Sequence, residues 1–300
     1  MLRNPSPLTL FFLFVALLAS SLLAAAVLAT PVFHLLGVFP IHRVFNRIAM
    51  LVFLAGAVLL LRRLALADRQ TLGFQAPPVR LATQAVTGFM AGLALLGLLG
   101  AVLFALGVRT WSPRAGEVSI LGMLPGFIMT GIVVAMVEET FFRGAMFGAI
   151  RRNGSALTAV SLTSVLYSAV HFLGERFRIP PEEVEWNSGF VLLSKFFGAY
   201  SRPLEIVDAF IALAVVGALL GAVREKSGNI AGAIGLHAGF VTVLAFLRKT
   251  SVPQFDQPWS FLVGRQDGVV GWLVAIMAGA ALLLVVRWPK PLTSRESIDR

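Results

Sequence analysis

Cysteine is absent from this chain of 300 residues, which excludes disulfides and thiolate metal sites. Charge is scarce as well. Only 13% of residues are Asp, Glu, Lys or Arg, about half the share of an ordinary soluble domain. Motifs of several enzyme classes are also missing. There is no His-Glu-x-x-His zinc-protease helix and no Walker A loop, and no Gly-x-Ser-x-Gly elbow for a serine nucleophile. Acidic residues are fewer than basic ones, so the net charge is +10. The base is not gathered on a soluble face of the kind that nucleic acid needs. In a lipid-embedded chain it reports topology and contact with anionic lipid.

What fills the chain instead is apolar. Hydrophobic residues make up 57%, gathered in runs long enough to cross a bilayer. The runs predict eight spans, roughly 8–30, 46–66, 83–108, 120–147, 156–174, 206–223, 229–247 and 268–287. The fold class expected is all-α, a polytopic integral membrane helix bundle forming a single membrane domain over 1–300. Breakers such as QAPP (75–78), TWSPRAG (110–116), RRNGS (151–155) and SVPQFDQPW (251–259) separate the runs. The first run exceeds a signal-peptide core in length, so it reads as a retained span. Residues 175–205 differ: a polar, acidic stretch precedes the short apolar FVLLSKFFGAY, which suits a loop leading to an interfacial or re-entrant helix. With eight spans both termini share one side. That side carries the more Lys and Arg, by a wider margin once 175–205 is set aside, counting Arg3, Lys290, Arg295 and Arg300 among others. This points to cytoplasmic termini in a bacterial inner membrane. Glycines four apart (144/148, 217/221, 228/232, 235/239) predict close packing by spans four, six and seven.

Ionisable groups inside spans cost about 2.5–3.5 kcal/mol each on insertion scales and mark function. Away from span ends they are few: Glu138, Glu139 and Arg143 in span four, His171 in span five and His237 in span seven. His34 and His42 fall in or near the first loop and read as ordinary solvated or interfacial residues. Glu139 and Arg143, four apart with the acid first, share a helix face and pair. Glu138 has Phe142 at that spacing and must find its partner on another helix. At about 1.5 Å rise per residue, the hairpin at Asn153-Gly154-Ser155 lets Glu138, His171 and His237 meet inside the bundle. A carboxylate and an imidazole flanking one water can activate it against a carbonyl, with a second imidazole at the oxyanion. The same three side chains are alternatively a zinc set. Tyr167, one turn before His171, is a candidate to hold that imidazole or touch substrate. A non-catalytic scaffold or immunity factor and a proton-coupled transporter using Glu138 stay open at this point.

At these residues the sequence resembles the CAAX prenyl endopeptidase type II and bacteriocin-processing (CPBP) intramembrane proteases, also called the ABI family. Their first motif, Glu-Glu-x-x-x-Arg, is matched by Glu138, Glu139 and Arg143. Their second, Phe-x-x-x-His, appears as Tyr167 to His171. The third, His-x-x-x-Asn, keeps His237 but has Val241 at the Asn position; Thr242, Ser164 or Tyr167 would have to supply the missing donor. The resemblance covers roughly 119–247 as a catalytic core. It implies peptide-bond hydrolysis in the membrane, with Glu138 and His171 activating water, His237 beside the oxyanion, and Glu139, Arg143 and Tyr167 in support. No cofactor is expected, although the family's metalloprotease label leaves zinc on Glu138, His171 and His237 as an alternative. The partners implied are a peptide or protein substrate in the membrane, such as a CAAX-type or other lipid-anchored chain, and membrane lipids.

Overall fold

The computed structural model describes residues 5–37, 39–113, 119–174, 177–265 and 267–288. Arg3, Lys290, Arg295 and Arg300, which bear on topology, lie outside the described residues, as does part of the 110–116 breaker. Among the described residues the secondary structure is helical apart from one short antiparallel pair. Helix α1 spans Pro7–Leu36, α2 Ile41–Arg63, α3 Arg69–Leu72 and α4 Pro78–Ala105; β1 is Arg109–Trp111. Helix α5 (Ile120–Glu139) runs through a π-helical turn, Thr140–Met146, into α6 (Phe147–Asn153). Then come α7 (Ala156–His171), α8 (Ser188–Phe196), α9 (Pro203–Ser227), α10 (Ala231–Thr250), β2 (Ser251–Pro253) and α11 (Trp272–Arg287). Six helical stretches are long and apolar enough to cross a membrane, and α7 and α11 are shorter apolar helices. This is an integral membrane helix bundle. Exposed Leu, Val, Met and Phe side chains cover α1, α2 and α5, as expected where the solvent is lipid.

Local chemistry sets the ends of the helices. The Ser6 and Ser155 hydroxyls accept the backbone N–H groups of Thr9 and Thr158 at 3.2 and 3.0 Å, capping the starts of α1 and α7. Gly228 ends α9 at φ +74, a left-handed conformation that only glycine adopts at little cost. Helix α7 has 16 residues, about 24 Å, which is less than the roughly 30 Å of bilayer hydrocarbon. His171 is its last residue. The chain returns over it through α8, which lies against α1 so closely that a Cβ on Gly189 would overlap the Ala26 carbonyl.

Three of the four glycine pairs pack closely, but not onto one another; Gly228 only ends α9 and has nothing within 4 Å. Gly235 and Gly239 of α10 meet the α4 backbone at Ala85 and Phe89, while Gly88 and Gly92 of α4 answer at Gly232 and Leu236. Gly217 and Gly221 of α9 seat against Ser164 and Val160 of α7. Gly144 and Gly148 face Leu72 and Thr71 of short α3. The spacing shows a smooth face; it carries no information on which neighbour fills it.

Two ends of the bundle can be told apart. At one, Asn153 Nδ2 donates to the Pro5 carbonyl at 3.1 Å, Arg151 pairs with Glu225 at 3.0 Å, and Lys226 Nζ donates to the Trp288 carbonyl at 2.7 Å. The first and last described helices therefore have their outer ends together. At the other end β1 pairs with β2, Arg109 opposite Pro253. Buried Arg109 there donates to the carbonyls of Leu247, Ser251 and Gly268 at 3.1, 2.9 and 2.8 Å. These bonds replace water around a guanidinium whose burial pushes its pKa below the usual arginine value.

Candidate active site

Glu138, Glu139 and Arg143 come from the junction of α5 with the π-helical turn, His171 and Tyr167 from the end of α7, and His237 from the middle of α10. Such turns are rare and concentrate at functional sites. Glu139 and Arg143 are fully buried and joined at 3.0 Å, as their spacing predicts. The carboxylate has a second partner that the spacing does not reveal: its Oε1 also lies 2.8 Å from His237 Nδ1. Arg143 is held further by the Gly217 carbonyl at 2.9 Å and by the Tyr167 ring, 4.5 Å from its guanidinium carbon.

The histidines have fixed tautomers. His171 Nδ1 sits 2.7 Å from the Tyr167 carbonyl, which can only accept, so this nitrogen carries the proton. His237 Nδ1 faces the Glu139 carboxylate and donates likewise. Both Nε2 atoms are left toward Glu138, whose Oε2 lies 3.8 Å from His171 Nε2 and 3.9 Å from His237 Nε2. These gaps are too long for direct hydrogen bonds. Among the described residues, Glu138 Oε2 has no hydrogen-bond partner of its own. The Glu138 side chain is 30% exposed where Glu139 is 0%. Two adjacent acids thus occupy different environments, one locked in the protein and one open to a cavity.

That cavity measures about 1020 Å³. Glu138, Tyr167, His171 and His237 line one part of it, and Arg202, Glu205, Arg248 and Asp267 another. Between them run apolar side chains, with His237, Val241, Leu244, Ala245 and Arg248 giving one continuous face of α10. The eleven steps from His237 to Arg248 cover about 16 Å of helix.

Residues 120–243 match the family model described as type II CAAX prenyl endopeptidase Rce1-like. This stretch is similar to an Rce1-like domain. The match spans every site residue from Glu138 to His237, and the family is one of CAAX-type membrane proteases. No curated protein and no solved structure matches the chain.

Three details of the candidate site depart from expectation. The Tyr167 hydroxyl does not hold His171; its backbone carbonyl does. Thr242 and Ser164 cannot stand in for the missing Asn, because their hydroxyls donate to Ala238 and Val160 within their own helices at 2.8 and 2.6 Å. Neither lines the cavity, whereas Val241 does. The third detail is Arg224, which the sequence does not single out. It is buried in α9, and its Nε donates to the Arg143 carbonyl at 3.2 Å, bracing the π-helical turn from outside. As a basic residue near a span end, its sequence position suggests only topology.

A zinc ion held by Glu138, His171 and His237 is reasonable in donor type. Among the described residues, however, no three His, Asp or Glu side chains are grouped so that they could hold one ion.

Proposed function

We propose that the chain hydrolyses peptide bonds of membrane-associated substrates with a water activated by Glu138 and His171. The observation that carries this reading is the convergence of two proton-accepting Nε2 atoms on Glu138 Oε2, at 3.8 and 3.9 Å, on the wall of a large, mainly apolar cavity. A water between them is turned by its hydrogen bonds toward a scissile carbonyl. Glu138 takes the proton as the oxygen attacks. His237, when it also carries a proton on Nε2, donates to the oxyanion while Glu139 balances its charge. Collapse of the tetrahedral intermediate returns the proton from Glu138 to the leaving amine. The mechanism proposed is metal-free, with Glu139, Arg143 and Tyr167 as support. Substrates are peptide or protein chains in the membrane, CAAX-type or otherwise lipid-anchored; the setting proposed is a bacterial inner membrane with cytoplasmic termini.

The test is N-terminal proteomics of membranes carrying the wild type or Glu138→Ala. New N-termini should appear only with the wild type, and a purified peptidase assay should survive a strong chelator. Cleavage retained in Glu138→Ala overturns the reading. Val241 supports a second one, since it leaves the third motif without a polar side chain: a non-catalytic scaffold or immunity factor, in which Glu138→Ala keeps its function.

A further inference from the structure

A second, smaller cavity of about 220 Å³ lies where α2, α8 and the segment following His171 meet. We propose that it binds a phosphate-bearing anion, either the headgroup of an anionic phospholipid or a soluble phosphate.

Its polar lining is His42, Asn46, Arg178 and Lys195, with Phe45 and Phe196 as apolar wall, and no carboxylate among the described residues lines it. Nor does either Arg178 or Lys195 form an ion pair among the described residues. The Lys195 ammonium lies 5.6 Å from the Phe177 ring centre instead. His42 Nδ1 is buried without a hydrogen-bond partner among the described residues. Two permanent cations, both solvent-exposed, and an imidazole therefore border one hollow with no described carboxylate among them, and an anion seated there would be attracted by both charges.

The geometry favours phosphate over a single carboxylate. The donors approach from α2, from α8 and from the connecting segment, so an anion with oxygens in several directions can use them together. The volume equals roughly seven waters, room for a phosphate and a short ester arm. Basic pockets between membrane helices are a recurring form of headgroup site. Trp186 and Phe190, exposed at the start of α8, are side chains of the kind that settle at the headgroup level.

Such an anion would also reach the larger cavity. Gly174, three positions beyond His171, lines both hollows, and its N–H donates to the Phe196 carbonyl at 2.8 Å. Occupancy ties the segment that leaves His171 to α2 and α8.

The experiment uses the full chain in nanodiscs of phosphatidylcholine, whose phosphate is balanced by its own ammonium, with phosphatidylglycerol titrated in. A parallel arm adds inorganic phosphate to discs of phosphatidylcholine alone. Thermal unfolding and lipid retained in native mass spectrometry are the readouts, so neither depends on proteolysis. Phosphatidylglycerol should raise the unfolding temperature of the wild type and remain bound. Arg178→Ala/Lys195→Ala should weaken that response at least tenfold in lipid concentration while unfolding unchanged in phosphatidylcholine. Arg178→Lys, which keeps the charge, should retain most of it and serves if the double variant is unstable. A response to inorganic phosphate alone supports the site and assigns it to a soluble anion; a response to phosphatidylglycerol alone assigns it to lipid. Equal responses of wild type and double variant, or none to either anion, overturn the proposal.

Discussion

Glu138 and Glu139 are neighbours in sequence, and their substitutions should fail in different ways. On the proposed mechanism, Glu138→Gln removes the base, whose side chain is part-exposed and whose Oε2 has no hydrogen-bond partner among the described residues. The protein should fold with an unfolding temperature close to wild type and lose about 10²–10⁴-fold in turnover. Glu139→Gln leaves the buried Arg143 guanidinium without its countercharge, and breaking a buried pair costs about 3–5 kcal/mol. It should lower the unfolding temperature sharply before any effect on kcat can be read. Thermal unfolding beside peptidase assays separates the two, and equal stability of the two variants contradicts this division of roles. Sequence spacing already divides the acids, since it pairs Glu139 with Arg143 and leaves Glu138 for another helix. It is silent on the bond from Glu139 to His237, because contacts between α5 and α10 depend on how helices cross. Val241 offers a gain-of-function test. It lines the cavity one turn beyond His237, so Val241→Asn introduces a donor on the oxyanion side. One such donor is worth about 10²–10³-fold where it has been removed from other enzymes; in this chain kcat should rise at least tenfold with little change in KM.

At the scale of elements, the site depends on a π-helical turn braced by α3 and Arg224. Asp68 caps α3, its carboxylate accepting from the Thr71 N–H and hydroxyl at 2.8 and 2.6 Å. Those bonds hold the carboxyl below its usual pKa. Because the folded value is the lower one, the stabilisation is complete above the unfolded carboxylate's pKa and is lost as pH falls through the folded value. Asp68→Ala should therefore cost about 1 kcal/mol near neutral pH and less in acid, as read from unfolding temperatures at several pH values. Glycine substitutions probe the same clamp. A Cβ at Gly148 would overlap the Thr71 carbonyl, whereas one at Gly97 meets nothing within 4 Å. Gly148→Ala should destabilise the fold, and Gly97→Ala should leave it unchanged or firmer by up to about 1 kcal/mol. The helices themselves are legible from hydropathy, which follows the lipid solvent directly. The partners of the glycine faces, the π-helical turn and the bracing by Arg224 are not, because each is decided by a neighbour remote in sequence.

At the scale of the whole molecule, polarity along the bundle axis decides how substrate reaches Glu138. The ends joined by Pro5 with Asn153 and by Lys226 with Trp288 lie at the turn between α9 and α10. Arg202 and Glu205 begin α9 and Arg248 closes α10, so these cavity-lining residues sit at the opposite end. A peptide entering past them follows the α10 face inward for about 16 Å before meeting His237. The absence of cysteine makes this directly measurable. Leu244→Cys places one thiol on the cavity wall, and Arg152→Cys places one at the end where α1 starts and α11 finishes, where that side chain is 56% exposed. In sealed vesicles a membrane-impermeant maleimide should label position 244 only from the face opposite to the one that labels position 152. Labelling at 244 should stop turnover, and labelling at 152 should not. If the termini are cytoplasmic, as the basic residues suggest, the thiol at 244 answers from the outer face. Labelling of both thiols from one side would mean that the cavity opens toward the termini, and entry past Arg202 and Arg248 would be wrong.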